Sequence, residues 1–248
     1  MKHSHSPLRR AVASAVAFAT RLAPPRRTFQ AIILMNRAIA RFAPRPRRAA
    51  RIVPRYRIDG PRETRLFRVL DTVSRYGGSF DPVIRMEGEE HLQAALARHG
   101  GVLLLGGHTM LNVFIARYMH DRQIETHLFA GRPFPIPGTQ QLANTQRPSP
   151  MALLRATRAL RRGAVVCALV DRAPTNPDRV FDIAESLFHL ALKLRTNVLF
   201  FASHAGEKAI EMKLEPPAGN PGAPEELIAA FSAFLHARIA ATAPQFRD

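Results

Sequence analysis

The chain of 248 residues is long enough for one sizeable α/β domain with its own core, and 46% hydrophobic with 22% charged residues is ordinary for a globular protein. Its charge is not ordinary: 36 Lys and Arg against 19 Asp and Glu give +17, of which +14 falls in residues 1–62, where Asp59 is the one acid. A single cysteine, Cys167, excludes an intramolecular disulfide framework and any cysteine-based metal centre, and no run reaches the roughly 18–20 uninterrupted apolar residues of a transmembrane helix.

The first apolar run, AVASAVAFATRLA, follows Arg9-Arg10 and is broken by Arg21. Such a start also resembles a signal peptide. The dense arginine tract behind it favours a segment that stays cytoplasmic, so a surface-lying amphipathic helix is expected. Residues 28–42, TFQAIILMNRAIARF, put Phe29, Ile32, Ile33 and Ile39 on roughly one side, with Arg37 and Arg41 interrupting. Two placements fit: a helix lying in a membrane interface, and a helix packed on the main domain. APRPRRAARIVPRYR follows as a Pro/Arg-rich linker. The expected organisation is a basic, membrane-associating helical arm over residues 1–62 and an α/β domain over 63–248.

PRETRLFRVLDTVSRYGG predicts a helix: Pro61 and Glu63 suit its first turn, Leu66, Val69, Leu70 and Val73 form its stripe, and Gly77-Gly78 stop it. PVIRMEG is a short strand. EEHLQAALARHGG is a helix with acids at its start and glycines at its end. VLLL, at 102–105, is a buried strand, and a helix is expected over TMLNVFIARYMHDR. ETHLFA is a strand, and GRPFPIPGTQQLANTQRPSP is a long Pro- and Gly-rich loop of a kind that often carries function. MALLRATRALRRG is a basic helix, AVVCALV a strand covered on both faces, and DRAPTNPDR a loop at that strand's end. IAESLFHLALKLRT is a helix, NVLFFAS another buried strand, and KAIEMKLE an edge or one-sided strand. After the turn-rich PPAGNPGAP, a last helix carries Leu227, Ile228, Phe231, Phe234, Leu235 and Ile239. Strands alternating with helices predict an α/β fold with a mostly parallel sheet flanked by helices.

Ligands of such sheets bind beyond the carboxyl ends of the strands. That singles out His108 and Asp171, each just past a buried strand. In GGVLLLGGHTMLNVF two glycines bring a strand to a lone histidine, which is how a fold presents a reactive imidazole; the alternative is a strand-end histidine with no chemistry. No acid occurs between Glu90 and Asp121 to orient it. Asp171 reads as an orienter recruited from a neighbouring strand end, as an organiser of a hydroxyl or phosphate site, or as a capping or turn residue ahead of Pro174. His120, His127, His189 and His204 read as structural or solvated. Phosphate-loop, dinucleotide-fingerprint, nucleophile-elbow and HExxH patterns are absent from the sequence, and no metal site is implied. Without Trp and with three Tyr, the body offers few platforms for stacking bases, so no specific nucleic-acid partner is expected. The basic arm points instead to an anionic membrane surface.

RMEGEEHLQAALARHGGVLLLGGH resembles the start of the core domain of the lipid A biosynthesis acyltransferases, the lauroyl/myristoyl branch of the lysophospholipid acyltransferase-like superfamily. MALLRATRALRRGAVVCALVDR, LFHLALKLRTNVLFFASHAGEKAIEMKLEPP and FLHARIAATAPQF resemble three later blocks of that family, in order, so the likeness runs from about Val83 to Phe246. It implies a glycerolipid acyltransferase-like fold and an enzyme at the cytoplasmic face of the bacterial inner membrane. Such an enzyme moves a fatty acyl chain from a thioester of acyl carrier protein or coenzyme A to a hydroxyl of a lipid or glycolipid. The thioester is a co-substrate, and no bound cofactor is implied. His108 takes the place of the general base, with backbone amides near Gly106 and Gly107, or an arginine, steadying the oxyanion.

The chain departs from that pattern where the orienting acid belongs: five residues after His108 stands Val113. Asn112 would fix the ring without balancing its charge. The family's aspartate-glutamine pair becomes Asp171-Arg172. Its arginine-bearing acceptor loop is replaced by the Pro-rich loop around Arg132, which reads as a holder of an anionic head group or as a solvated arginine. The candidates are thus His108, Asp171 and Asn112 for catalysis, and Gly106, Gly107, Arg132 and Arg172 for substrate. Three functions stay open: the acyltransferase, a catalytically inactive relative that binds lipid or thioester, and a basic protein that binds nucleic acid non-specifically through its arm. The first two divide on whether a carboxylate reaches His108 in the fold.

Overall fold

The runs VLLL and AVVCALV lie side by side at the centre of a seven-stranded sheet. The structure, a computed structural model, describes residues 18–42, 60–98, 100–129, 145–147, 149–172, 175, 181–219 and 221–242. Along the chain these form α1 (Pro25–Phe42), α2 (Pro61–Arg75), β1 (Ile84–Glu87), α3 (Glu89–Leu96), β2 (Val102–Gly106), a 3₁₀ turn (Met110–Val113), α4 (Phe114–Asp121), β3 (Thr126–Phe129) and β4 (Thr145–Gln146). There follow α5 (Pro150–Arg161), β5 (Val165–Leu169), β6 (Asp171–Arg172), β7 (Asp182–Ile183), α6 (Ser186–Leu194), β8 (Asn197–Ala205), β9 (Ile210–Glu215) and α7 (Pro224–Thr242). The strand order is β1-β9-β8-β2-β5-β3-β4. Among the described residues of this sheet, β8 and β9 pair antiparallel and the other neighbours are parallel. The protein is therefore α/β, with a mostly parallel sheet between two layers of helices.

Alternation along the strands divides the core in two. Val102 and Leu104 of β2 face the layer of α1 to α4, while Leu103 and Leu105 face α5, α6 and α7. Both sets are fully buried, which explains why β2 reads as a continuous apolar run rather than an alternating one. The core on the α5–α7 side is aromatic: Phe200 of β8 meets Phe231 and Phe234 of α7 with ring centroids 5.2 and 5.6 Å apart.

Four local expectations resolve differently or more sharply than the sequence states them. Helix α1 packs on the domain: Phe29, Ile32 and Ile33 are at most 5% exposed and join the core beside Leu66 and Leu70 of α2. Those three side chains therefore do not face a membrane, and residues 25–42 contribute to the domain core despite lying before residue 62. The expected helix after His108 opens with a 3₁₀ turn before α4 begins. The expected loop at Asp171-Arg172 instead starts a two-stranded hairpin, β6 with β7. KAIEMKLE is the one-sided strand and not the edge: Ile210, Met212 and Leu214 are buried, and β9 has β8 on one side and β1 on the other.

Gly88 joins β1 to α3 in the left-handed region, at φ +81°. A Cβ there would fall inside van der Waals contact of the Leu214 carbonyl oxygen, which is itself backbone of the neighbouring strand. Strain and overlap act together, so Gly88→Ala is expected to lower unfolding free energy by about 1–3 kcal/mol, read from the urea midpoint at unchanged m-value.

Candidate active site

Strands β2 and β5 are parallel neighbours, with Gly106 opposite Leu169. Two residues further along each chain stand His108 and Asp171. The register thus delivers both to the same spot beyond the carboxyl ends of the sheet. The His108 backbone N–H donates to Asp171 Oδ1 at 2.6 Å, and His108 Nδ1 lies 2.9 Å from the same oxygen. The Asp171 side chain has no exposed surface, whereas that of His108 is 52% exposed. A buried carboxylate therefore holds an imidazole that opens to solvent.

An ionised carboxylate only accepts hydrogen bonds, so Nδ1 carries the proton and donates to Asp171. The lone pair then sits on Nε2, the nitrogen able to take a proton from an incoming group. Burial pulls the imidazolium down, but the Asp171 carboxylate, hydrogen-bonded to the ring and close in charge, outweighs it, so the pKa of His108 is raised above its ordinary 6.5.

The turn carrying His108 is clamped from below. Asn112 Nδ2 donates to the Gly107 carbonyl at 2.7 Å, and the Thr109 N–H donates to the same oxygen at 2.7 Å. The Ser203 hydroxyl of β8 donates to Asn112 Oδ1 at 2.6 Å, with Thr109 Oγ1 3.5 Å from the Ser203 oxygen. Thr109, Asn112 and Ser203 are all buried. Asn112 therefore does not fix the imidazole, as its place in the sequence suggests. It fixes the Gly107 carbonyl, because the 3₁₀ turn directs its side chain back under the loop. Ser203 and Thr109 are not singled out by the sequence; the one signal for Ser203 is a hydroxyl near the carboxyl end of an otherwise apolar strand.

The other candidates separate. Gly106 is the last residue of β2, and a Cβ on it would lie 2.5 Å from the Phe201 ring, so its glycine character serves packing. Gly107 is buried and supplies the carbonyl just described. The His108 N–H is taken by Asp171 and the Thr109 N–H by the Gly107 carbonyl, so neither is free to hold an oxyanion. Arg172 is exposed on β6 and pairs across the hairpin with Asp182, whose carboxylate accepts the Thr175 N–H and hydroxyl at 2.8 and 2.7 Å. Arg132 lies outside the described residues. Val113, where the resemblance puts the acid, is half-buried against the core. Among the described residues no three His, Cys, Asp or Glu side chains gather as metal ligands.

A cleft of about 630 Å³ opens at the opposite end of the sheet, beside the start of β8 at Asn197, and is lined by Arg98, Arg195 and Pro216 among others. It is a strand length away from His108, and the imidazole chemistry does not involve it. No protein-family model matches the chain, and no curated protein sequence matches it.

In a proton NMR titration His108 should titrate above 6.5, and Asp171→Asn should move it downward, because the raising partner is gone while burial remains. By linkage, the stability this pair supplies is present below pH 6.5 and fades as pH rises through the folded value. Asn112→Ala takes one of two donors from the Gly107 carbonyl and removes the acceptor of the buried Ser203 hydroxyl, and is expected to cost about 1–3 kcal/mol in denaturant unfolding.

Proposed function

We propose that the protein is an acyltransferase that moves a fatty acyl chain from a thioester to a hydroxyl of a lipid or glycolipid, in the manner of the lipid A acyltransferases it resembles. The observation that carries this reading is the buried Asp171 carboxylate on Nδ1 of a half-exposed His108. A histidine so held has the tautomer and the charge partner of a general base. The same contact favours an enzyme over an inactive lipid- or thioester-binding relative, since a retained strand-end histidine has no need of an orienting carboxylate.

The chemistry balances without a bound cofactor. The acceptor hydroxyl gives its proton to His108 Nε2 as its oxygen adds to the thioester carbonyl, forming the new C–O bond. The tetrahedral intermediate collapses with cleavage of the C–S bond, and the imidazolium returns the proton to the departing thiolate. Asp171 stays ionised and balances the imidazolium during the interval. Acyl carrier protein or coenzyme A would bring the acyl group, and Arg132 and Arg172 are the candidates for an anionic part of the substrates. No helix among the described residues is long and apolar enough to cross a membrane. The cytoplasmic face of the bacterial inner membrane, with the enzyme attached through its basic amino-terminal region, is the setting this reading assigns.

The test is transfer of labelled acyl groups from acyl carrier protein and coenzyme A thioesters of several chain lengths to total membrane lipid. Wild type should transfer, and His108→Ala should lose roughly 10²–10⁴ of the rate. Asp171→Asn should lose roughly 10⁴ in kcat, with the acid limb of its pH profile moved to lower pH. Folded wild-type protein that transfers nothing from any donor sinks the enzyme reading and leaves the lipid-binding relative.

A further inference from the structure

Helix α1 has two apolar faces. One, formed by Phe29, Ile32 and Ile33 with Asn36, is buried against the domain. The other is turned to solvent: Leu34 is 58% exposed, Met35 44% and Ile39 38%, with Ala31 and Ala38 exposed between them. The helical residues just before α1 add Phe18 and Leu22, 61% and 76% exposed. Among the described residues, most of the large hydrophobic side chains left exposed thus fall between 18 and 39. Scattered exposed leucines need no explanation, but a row of them on one helix face does.

Arg26 lines a pocket with Asp81 and Asp121, and Arg37 pairs with Glu207, but the sequence flanking α1 carries charge of one sign. Arg26 and Arg27 are exposed at the start of α1, and the first acid of the whole chain is Asp59. Lys2, Arg9 and Arg10 precede the helix in sequence, and Arg45, Arg47, Arg48, Arg51, Arg55 and Arg57 follow it. An aliphatic face bordered by arginines is the pattern of a helix that lies in the headgroup layer of an anionic bilayer. A second copy of the chain suits it poorly, because pairing two such faces would set one arginine-rich edge against another.

The helix is also placed to matter. Asn36 Nδ2 donates to the Arg62 carbonyl at 3.2 Å, Arg37 pairs with Glu207 at 3.1 Å, and Arg62 donates to the Gly206 carbonyl at 2.7 Å. Gly206 and Glu207 follow the carboxyl end of β8, the end at which Ser203 reaches the His108 turn. Helix α2, which carries α1, also packs against the 3₁₀ turn after His108.

We infer that the outward face of α1, Leu34, Met35 and Ile39 with Arg26 and Arg27 at its edge, is the surface by which the protein docks on an anionic lipid bilayer. The docking brings the His108 end of the sheet to the membrane. The inference rests on the proposed lipid acceptor for its purpose, but not for its measurement. Binding is read by co-sedimentation with vesicles of phosphatidylcholine, with and without phosphatidylglycerol, in the absence of any thioester. Wild type should bind the anionic vesicles and release them at high salt. The variant carrying Leu34→Gln, Met35→Gln and Ile39→Gln changes exposed side chains only. It should lose at least roughly tenfold in affinity while keeping acyl transfer between water-soluble donor and acceptor. Unchanged vesicle binding by this variant overturns the inference, as does equal binding to neutral vesicles. A wild-type dimer that the three substitutions turn into a monomer overturns it too, because a second copy then owns the face. An inactive wild type that still binds vesicles through these residues upholds the docking surface and refutes only the acyltransferase.

Discussion

A carboxylate with no exposed surface is tolerated inside a protein only where it is hydrogen-bonded, and Asp171 Oδ1 accepts both the backbone N–H and the ring of His108. The two residues each follow one of two adjacent parallel strands by two positions, so their separation is set by the sheet. Parallel pairing of β2 with β5 holds Gly106 opposite Leu169, and each partner of the dyad sits two residues beyond. A slip of one residue in that pairing would move one side chain to the other face and break the contact. The candidate site therefore depends on the most buried part of the fold.

This arrangement differs in kind from an acid carried a helical turn after the histidine. On a helix, the orienting group and the imidazole share one element and shift together. Here the chain after His108 forms a 3₁₀ turn, and Val113 packs against the core as an ordinary apolar residue. The space beneath the turn is filled by Asn112 and Ser203, which tie the Gly107 carbonyl to β8. The turn is thus held on one side by β5 through Asp171 and on the other by β8 through Ser203. Two strands flanking β2 fix the direction of one side chain, an economical way to pre-orient an imidazole that remains half exposed.

The central strands are legible because both faces of β2, β5 and β8 are covered, which writes itself into the sequence as unbroken apolar runs. The helices are legible from their stripes, with α1 as the instructive exception: its sequence suggests a single stripe, yet the face carrying Phe29, Ile32 and Ile33 belongs to the core while Ile39 lies outward. The hairpin of β6 and β7 leaves no trace, because strands of two residues are too short to show alternation. Asp171 is visible as a strand-end acid, but its partner is not fixed by the sequence. The two residues are 63 apart, and β3 and β4 intervene in the chain between strands that are neighbours in the sheet. The role expected of Asn112 rests on proximity in sequence, which says little in a 3₁₀ turn, where side chains three apart eclipse and the ladder differs from that of an α-helix.

The same reasoning applies to α1 as a whole. A helix that covers a domain needs one apolar face, and the remaining surface is free to be charged. In α1 the outward surface carries Ala31, Leu34, Met35, Ala38 and Ile39, with Arg27 on the same stripe one heptad before Leu34. Exposed Leu34, Met35 and Ile39 gain nothing from water, and the domain core is complete without them. Their retention on a helix whose flanking chain is overwhelmingly basic is a constraint that the fold alone does not impose. It is met if the outer face has a medium of its own, apolar in depth and anionic at its rim. A soluble partner could supply the first property; a bilayer supplies both.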